Sequence, residues 1–187
     1  MLKDYANRSV QTAVALVNTY DLAAGDDRLG GRDDTAELLR GLGWEGVDAL
    51  SAADQSRLSN WRHQLRSVFE TDDAATAIDI LNRNLKEVGS APRLTNHDGE
   101  WHWHYTRQGA PLRERVIATT AVALLSAIAD GALARMRVCS ADDCHRVFVD
   151  LSRPGTRRFC EPTGCANRAH VRAFRTRAKG GQTVVSN

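Results

Sequence analysis

The chain has 187 residues, 42% of them hydrophobic and 26% charged, a composition that fits a soluble globular protein with one ordinary domain and one small module. Its net charge of +2 conceals an asymmetry, because residues 135–179 contain eleven basic and four acidic residues, whereas residues 1–134 contain fourteen basic and nineteen acidic ones. The most apolar stretch, residues 116–134, is interrupted by Asp130 and Gly131, which excludes a membrane span and indicates a buried helix.

The first predicted elements are helices. The N-terminus is charged where an export signal would be apolar, so we expect a cytoplasmic protein. Asp34 is expected to cap the second helix, and Ser51 with Asp54 has the pattern of a capping box for the third. Helices are predicted over about 9–22, 34–43, 51–70 and 72–88.

Beyond these helices the apolar period changes from helical to alternating. The pair Asp98-Gly99, flanked by alternating residues, predicts a small β-hairpin. Trp101, Trp103 and Tyr105 are expected to face the core, with the intervening histidines on a polar face. A metal-binding or acid–base role is the alternative for His97, His102 and His104.

Nothing else in residues 1–134 indicates catalysis. No phosphate loop, Ser/His/Asp order or paired-carboxylate site is present, so we expect that the protein is not an enzyme. The acidic residues near the start are interpreted as a solvated loop. They are Asp26, Asp27, Asp33 and Asp34. The alternative is an enzyme or small-ligand-binding protein with its site around the three histidines and Trp103.

A fifth helix is predicted after Pro111, from Leu112 toward Ala129 and at most to Arg137. It leads directly to the first cysteine, so the domain boundary is predicted near residue 136. The predicted division is a mainly helical α+β domain over 1–136, a cysteine module over 137–180 and a flexible tail over 181–187. We expect residues 1–134 to fold on their own.

All four cysteines fall within 27 residues, as Cys139-x4-Cys144-x15-Cys160-x4-Cys165. Each close pair can supply half of a tetrahedron, and the intervening segment can fold back to join the halves around one Zn²⁺. Two disulfides are the competing interpretation, which the expected reducing compartment disfavours. Because four thiolates leave no open position for water, the predicted zinc is structural.

The cysteine module is predicted to contain a knuckle, a hairpin and a helix, which together form a treble-clef zinc finger. The first cysteine pair forms the knuckle, residues 147–150 and 157–159 form strands, and Pro154-Gly155 forms the turn. The second pair stands at the start of a helix over about 165–179. So small a module depends on the metal, with Phe148, Phe159, Val171 and Phe174 as its expected core.

The final helix presents a basic face. At 100° per residue, Arg168, Arg172, Arg175 and Lys179 lie close together, and Arg153, Arg157 and Arg158 precede the helix. Guanidinium groups bind phosphate bidentately, so this face is a candidate DNA contact, although a charged face can also be merely solvated. Val171, Phe174 and Ala178 form a separate stripe that is expected to pack on the hairpin.

The motifs of this module resemble those of the CGNR zinc-finger family. They are Cys-x4-Cys, Phe-x-Asp-x-Ser-Arg (148–153), Arg-Arg-aromatic-Cys (157–160) and Cys-x-Asn-Arg (165–168). Upstream, Leu-Val-Asn-Thr (16–19) and Leu-Leu before Gly-Leu-Gly-Trp (41–44) resemble the ABATE domain, the usual partner of that finger. The resemblance implies a bacterial stress-induced transcription regulator whose finger binds DNA.

Two residues depart from the family pattern, Ala166 in place of Gly and Phe159 in place of the usual Trp. Ala166 is expected in ordinary helical geometry, where it adds one methyl group to any close approach. Asn167 and Arg168 keep the pattern, and either local hydrogen bonds or nucleic-acid contact would explain them. The favoured function is DNA binding in transcriptional control, with the N-terminal domain sensing a small-molecule effector or forming a homodimer. The rival finger function is docking of RNA or protein.

Overall fold

The computed structural model describes residues 8–96, 99, 101–161 and 164–180, with side chains through residue 177. His97, the Lys179 and Ala178 side chains and the predicted tail 181–187 lie outside the described residues. The helices are α1 (Arg8–Val17), α2 (Arg32–Gly41), α3 (Ala52–Glu70), α4 (Ala74–Glu87), α5 (Leu112–Ala129) and α6 (Cys165–Gly180). Two short 3₁₀ turns cover Val47–Ala49 and Leu133–Arg135.

Within the described chain, the strands form three small antiparallel pairs. β1 (Tyr20–Asp21) pairs with β2 (Asp26–Asp27), β3 (Arg93–Thr95) with β4 (His102–His104), and β5 (Met136–Val138) with β6 (Val147–Val149). The fold class predicted from the sequence is therefore confirmed, since helices dominate and the strands occur only in small hairpins. The β3–β4 hairpin is found where the Asp98-Gly99 signal predicts one, and Asp98 itself lies outside the described residues.

Local capping explains where several helices begin. The Ser51 hydroxyl accepts a hydrogen bond from the Asp54 backbone N–H (3.1 Å), and the Asp54 carboxylate accepts one from the Ser51 backbone N–H (2.8 Å). This confirms the predicted capping box of α3. The expectation that Asp34 caps α2 is wrong, because α2 begins at Arg32 after an uncapped Gly31. Asp34 instead lies in the first turn, where its charge complements the helix dipole.

The main core lies between α1, α3, α4 and α5. Trp61 of α3 is fully buried, and its indole N–H donates to the Thr120 hydroxyl of α5 (3.0 Å). Leu16, Leu81 and Leu124 supply equally buried side chains from α1, α4 and α5. Thus the apolar stretch that includes α5 is a buried helix, as predicted. None of the helices in the described part of the chain is long and apolar enough to cross a membrane.

One acidic residue of the predicted solvated loop has a structural role. Asp27 forms an ion pair with Arg62, whose side chain is almost completely buried, and the Arg62 Nη2–Asp27 Oδ2 distance is 2.9 Å. The hydrogen bond from Arg62 holds the pKa of Asp27 below its ordinary value. The same guanidinium lies over the Tyr20 ring and donates to the Thr19 hydroxyl. The acidic residues are exposed, as predicted, and Asp27 in addition supplies the carboxylate partner that a buried arginine needs.

The β5–β6 hairpin packs against the helical core. Met136 of β5 and Val147 of β6 are buried in the same apolar cluster as α1 and α3. The side-chain amide of Asn18, just after α1, accepts from the Val147 N–H (2.8 Å) and donates to the Val147 carbonyl (2.9 Å). Arg66 of α3 donates to the His145 carbonyl (3.0 Å). The Leu-Val-Asn-Thr motif thus joins the helices to the cysteine module.

Asn18→Ala is expected to lower the free energy of unfolding by about 2–4 kcal/mol, because two buried backbone groups of Val147 lose their partners. Denaturant unfolding of the zinc-loaded protein measures this loss. Asn60→Ala, at an exposed position of α3, is the matched control and should change little. Equal stability of the two variants would show that the Asn18 contacts contribute nothing.

Candidate functional site

The four cysteines converge at one buried point. Cys139 and Cys144 lie in the connection between β5 and β6, Cys160 lies in the following loop, and Cys165 is the first residue of α6. Their four Sγ atoms all lie within 4.8 Å of one another. The Cys144–Cys160 and Cys160–Cys165 Sγ distances are 3.7 and 3.6 Å. The sequence pattern and the fold therefore bring the four thiols to one place.

The sulfur distances fit a tetrahedral zinc site. A Zn–S bond of about 2.3 Å places tetrahedral sulfurs roughly 3.8 Å apart, close to the two shortest separations. A disulfide requires a separation of about 2.05 Å, and all four cysteines are free thiols. The four cysteines form a zinc site, as predicted, and the disulfide alternative is not supported.

The Cys144 thiol needs a nearby cation to ionise at this site. Burial raises the pKa of the Cys144 thiol to about 12, and the other three cysteine sulfurs raise it as well. A hydrogen bond from the Arg146 backbone N–H acts in the opposite direction without compensating. Zinc supplies the missing stabilisation because it binds the thiolate and releases the proton.

Two further donors point to the cysteine sulfurs. The Cys160 backbone N–H points to the Cys139 sulfur (3.4 Å), and the Arg168 guanidinium points to the Cys165 sulfur (3.3 Å). Arg168 also forms an ion pair with Asp143 of the knuckle (3.3 Å). Arg168 thus makes the local contacts that tie the helix to the knuckle, one of the two roles left open by the sequence. Ala166 lies within α6, in the expected helical geometry.

A buried carboxylate organises the loop between β6 and Cys160. Asp150 is fully buried and accepts from the Ser152 N–H (2.9 Å), the Ser152 hydroxyl (2.6 Å) and the Arg157 N–H (2.8 Å). Burial alone would raise the pKa of Asp150, but these hydrogen bonds outweigh it and hold the pKa below its ordinary value. Residues 148–153, which resemble the family motif, therefore include the aspartate that fixes the conformation of this loop.

Asp150→Ala is expected to destabilise the zinc-loaded protein by about 2–4 kcal/mol, because several buried donors lose their acceptor. Thermal unfolding monitored with a zinc indicator measures the loss. The ionised Asp150 carboxylate stabilises the folded protein fully above roughly pH 4, and this stabilisation is lost as the pH falls through the lowered pKa of Asp150. Asp142→Ala, at an exposed knuckle position, is the control. A melting temperature equal to that of the control would contradict this role.

The hairpin of the module differs from the expected one. Residues 157–159 do not form a strand, and β6 pairs with β5, so that Val138 opposes Val147. Arg137 of β5 donates to the carbonyls of Arg157 (2.8 Å) and Gly155 (2.8 Å), so side-chain bonds replace a third strand. The Pro154-Gly155 turn forms as predicted, closed by a hydrogen bond from the Gly155 N–H to the Ser152 carbonyl (3.2 Å).

The small core around the cysteines contains only part of the predicted set. Phe148 is buried and Phe159 partly buried against the cysteines, as expected. Val171 and Phe174 are 47% and 68% exposed, so the expectation that they pack on the hairpin is wrong. The hairpin packs instead against α1 and α3, through Met136 and Val147.

The predicted basic residues differ in their surroundings. Arg168 and Arg172 form ion pairs with Asp143 and Asp142, and Arg157 forms one with Glu161 (2.8 Å). The other candidates with described side chains are exposed and form no ion pair with a described residue. They are Arg153, Arg158 and Arg175. Part of the basic face is thus neutralised by the knuckle, which a count of charges along the chain cannot reveal.

The structure separates these candidate residues into three places. Asn167, Arg168, Arg172 and Arg175 line one shallow groove along α6. Arg158 lines a different cavity, beside the end of α3, and Arg157 lines one beside α1 with its guanidinium over the Phe148 ring (5.4 Å). The expected continuity between Arg157, Arg158 and the helix face is therefore not found.

The predicted faces of the β3–β4 hairpin are reversed. Trp101 and Trp103 are 69% and 56% exposed, and Trp103 pairs across the sheet with exposed Leu94. His102 and His104 are partly buried, with their Nε2 atoms 3.0 Å apart, a hydrogen-bond distance. Among the described residues, only the four cysteines form a cluster of three or more close metal ligands. No third described ligand supports a metal site here.

Comparison with protein families agrees with the motifs. A family model described as "CGNR zinc finger" matches residues 135–178. A second, ABATE, described as "Putative stress-induced transcription regulator", matches residues 11–136, about two thirds of the chain. Among curated proteins, no sequence matches the chain. The two family matches meet at the start of β5, where the cysteine module begins.

Proposed function

Because the chain belongs to the ABATE family and ends in a CGNR zinc finger, we propose that it is a transcription regulator that binds duplex DNA through that finger. The finger supplies two ligands from a knuckle, one from the loop before α6 and one from the first residue of α6, and for this arrangement we propose the treble-clef class. In this proposal the zinc has a structural role, and the side chains of α6 contact the DNA.

The observation that carries the proposal is the exposure of α6. The helix is fixed at one end, where Cys165 holds the zinc and Arg168 is bound to the knuckle. From there its arginines reach solvent, with the Arg172 side chain 56% exposed despite its ion pair and Arg175 exposed as well. An exposed ion pair is worth less than about 1 kcal/mol, so a phosphate can replace Asp142 at little cost.

The N-terminal domain is assigned a sensory or dimerising role in the same proposal. Its link to the finger supports this assignment, since Asn18 and Arg66 hold the hairpin from which the zinc knuckle emerges. A change in the packing of α1 or α3 would therefore move the finger. We propose a regulatory role in the cytoplasm rather than a catalytic one. In this proposal the signal is a small-molecule effector, which acts under stress conditions.

The proposal is tested by recovering DNA crosslinked to the protein in cells. Enrichment of discrete sites upstream of genes is the expected result, and it should disappear for Arg172→Ala/Arg175→Ala. Arg32→Ala/Arg83→Ala changes the charge equally on exposed residues of α2 and α4 and should retain the enrichment. Recovery of DNA at background level by the unmodified protein would refute DNA binding as its function in the cell.

A further inference from the structure

One face of α6 is apolar and yet points into solvent. At 100° per residue, Asn167, Val171 and Phe174 lie within about 60° of one another on the helix surface. All three are exposed, and Phe174 is the most exposed of the large apolar residues of the cysteine module. We name these three residues the outward stripe. Exposing an aromatic ring is unfavourable in the free protein, which indicates a partner for this face.

The outward stripe lies opposite the side that anchors the helix. Cys165, which is fully buried, and Ala169, which is partly buried, lie about 160° and 200° from Asn167 around the helix axis. The zinc site therefore anchors the inner side of α6, and the outward stripe lies on the opposite side of the helix.

Basic side chains flank the stripe on both sides. Arg168, Arg172 and Arg175 lie about 80–140° to one side, and His170 and Arg177 about 60–80° to the other. All five are exposed. A helix that docked into an apolar protein groove would gain nothing from cations on both edges of its apolar face. The phosphates of the two DNA strands, which form one row along each edge of a groove, would match this arrangement.

We propose that the outward stripe is the base-reading face of α6 in the major groove of duplex DNA. This rests on the function proposed above and specifies how the site recognises sequence. A helix about 10–12 Å wide fits a groove of about 12 Å. Phe174 and Val171 contact the 5-methyl groups of thymine, and the Asn167 amide pairs with an adenine edge. The flanking cations contact the two backbones.

The chemistry of the stripe distinguishes DNA from RNA. The major groove of an A-form duplex is too deep and narrow for side chains to read, and RNA carries uracil, which lacks the 5-methyl group. A face that gains its contact energy from thymine methyl groups therefore selects DNA. Phosphate contacts alone would not make that distinction.

The test uses zinc-loaded full-length protein and a duplex selected from a random pool by that protein. Thymines of the selected duplex are replaced by uracil one position at a time. At one or two positions we expect the affinity to fall about fourfold, the value of one buried methyl group. Phe174→Ala should bind more weakly and should no longer distinguish thymine from uracil at those positions. Leu151→Ala, which removes an exposed apolar side chain elsewhere in the module, should keep the distinction.

The outcomes separate this inference from the proposed function. If the protein binds no duplex, the proposed function fails and the inference with it. If it binds DNA but uracil replacement has no effect, or has the same effect in Phe174→Ala, DNA binding stands and base reading by the stripe is overturned. Equal affinity for duplex RNA of the same sequence would overturn it as well.

Discussion

Cys160→Ser is expected to bind less than about one tenth of an equivalent of zinc after dialysis against a chelator, whereas the unmodified protein should retain about one equivalent. The Cys160 sulfur lies 3.6 Å from that of Cys165 and 3.7 Å from that of Cys144. Its loss removes one corner of the tetrahedron. Because zinc contributes about 10 kcal/mol or more to comparable small modules, the 16-residue helix α6 should unfold.

Loss of the zinc should affect the rest of the chain less than it affects α6. Helices α1 to α5 should stay folded, since their core contains its own fully buried side chains. Their melting temperature should nevertheless fall, because Met136 and Val147 of the finger belong to the same core. Circular dichroism during chelation measures both effects. Ser140→Ala, between two zinc ligands in sequence, is the control and should retain the metal. An unchanged zinc content in Cys160→Ser would refute the four-cysteine site.

The sequence was most informative where a residue type permits few alternatives. Cysteine spacing identified the zinc ligands, because two pairs of thiols at that spacing can each supply half of a tetrahedral site. The Ser51–Asp54 capping box and the turn at Gly155 were likewise predictable, since each depends on a few consecutive residues. The family motifs added the domain order.

Long-range partners could not be predicted in the same way. Asn18 binds Val147 across 129 positions of sequence, and the ion pair of Asp27 with Arg62 spans 35. No periodicity links such residues. The pairing of β5 with β6 is not predicted from the sequence, because the fifth helix is allowed to continue as far as Arg137 and no strand is assigned before Cys139. Its apolar Met136 and Val138, separated by one residue, were the available signal.

The exposed apolar residues were misassigned for a related reason. An apolar stripe on a helix normally faces the core, which is why Val171 and Phe174 were expected to be buried. In the β3–β4 hairpin the same assumption placed Trp103 inside. In both places the fold leaves the stripe uncovered, with Trp103 56% and Phe174 68% exposed. Local pattern indicates which residues share a face, and the rest of the fold decides whether that face is buried.

The second large effect is expected for Arg172→Ala/Arg175→Ala. Each phosphate neutralised by a cation releases counterions, so the logarithm of the affinity for a duplex falls with the logarithm of the salt concentration by about 0.9 per contact. Removing both arginines should flatten this slope by roughly two units. The ion pair of Arg172 with Asp142 does not prevent the contact, because both side chains are exposed.

Zinc content and folding should be unchanged in this variant, since neither arginine contacts a cysteine sulfur among the described hydrogen bonds. Fluorescence anisotropy of a labelled duplex across a salt series gives the slope. Arg32→Ala/Arg83→Ala removes the same charge from α2 and α4 and should leave the slope as it is. An unchanged slope in the α6 variant would mean that this face is only solvated.

The most direct measurement is the affinity of the zinc-loaded, unmodified protein for a labelled DNA duplex as salt is raised from low concentration. If α6 contacts phosphates through at least three of its exposed arginines, the double-logarithmic plot should be linear with a slope of roughly −3 or steeper. Absence of binding at the lowest salt, or a slope near zero, would contradict DNA recognition by this finger.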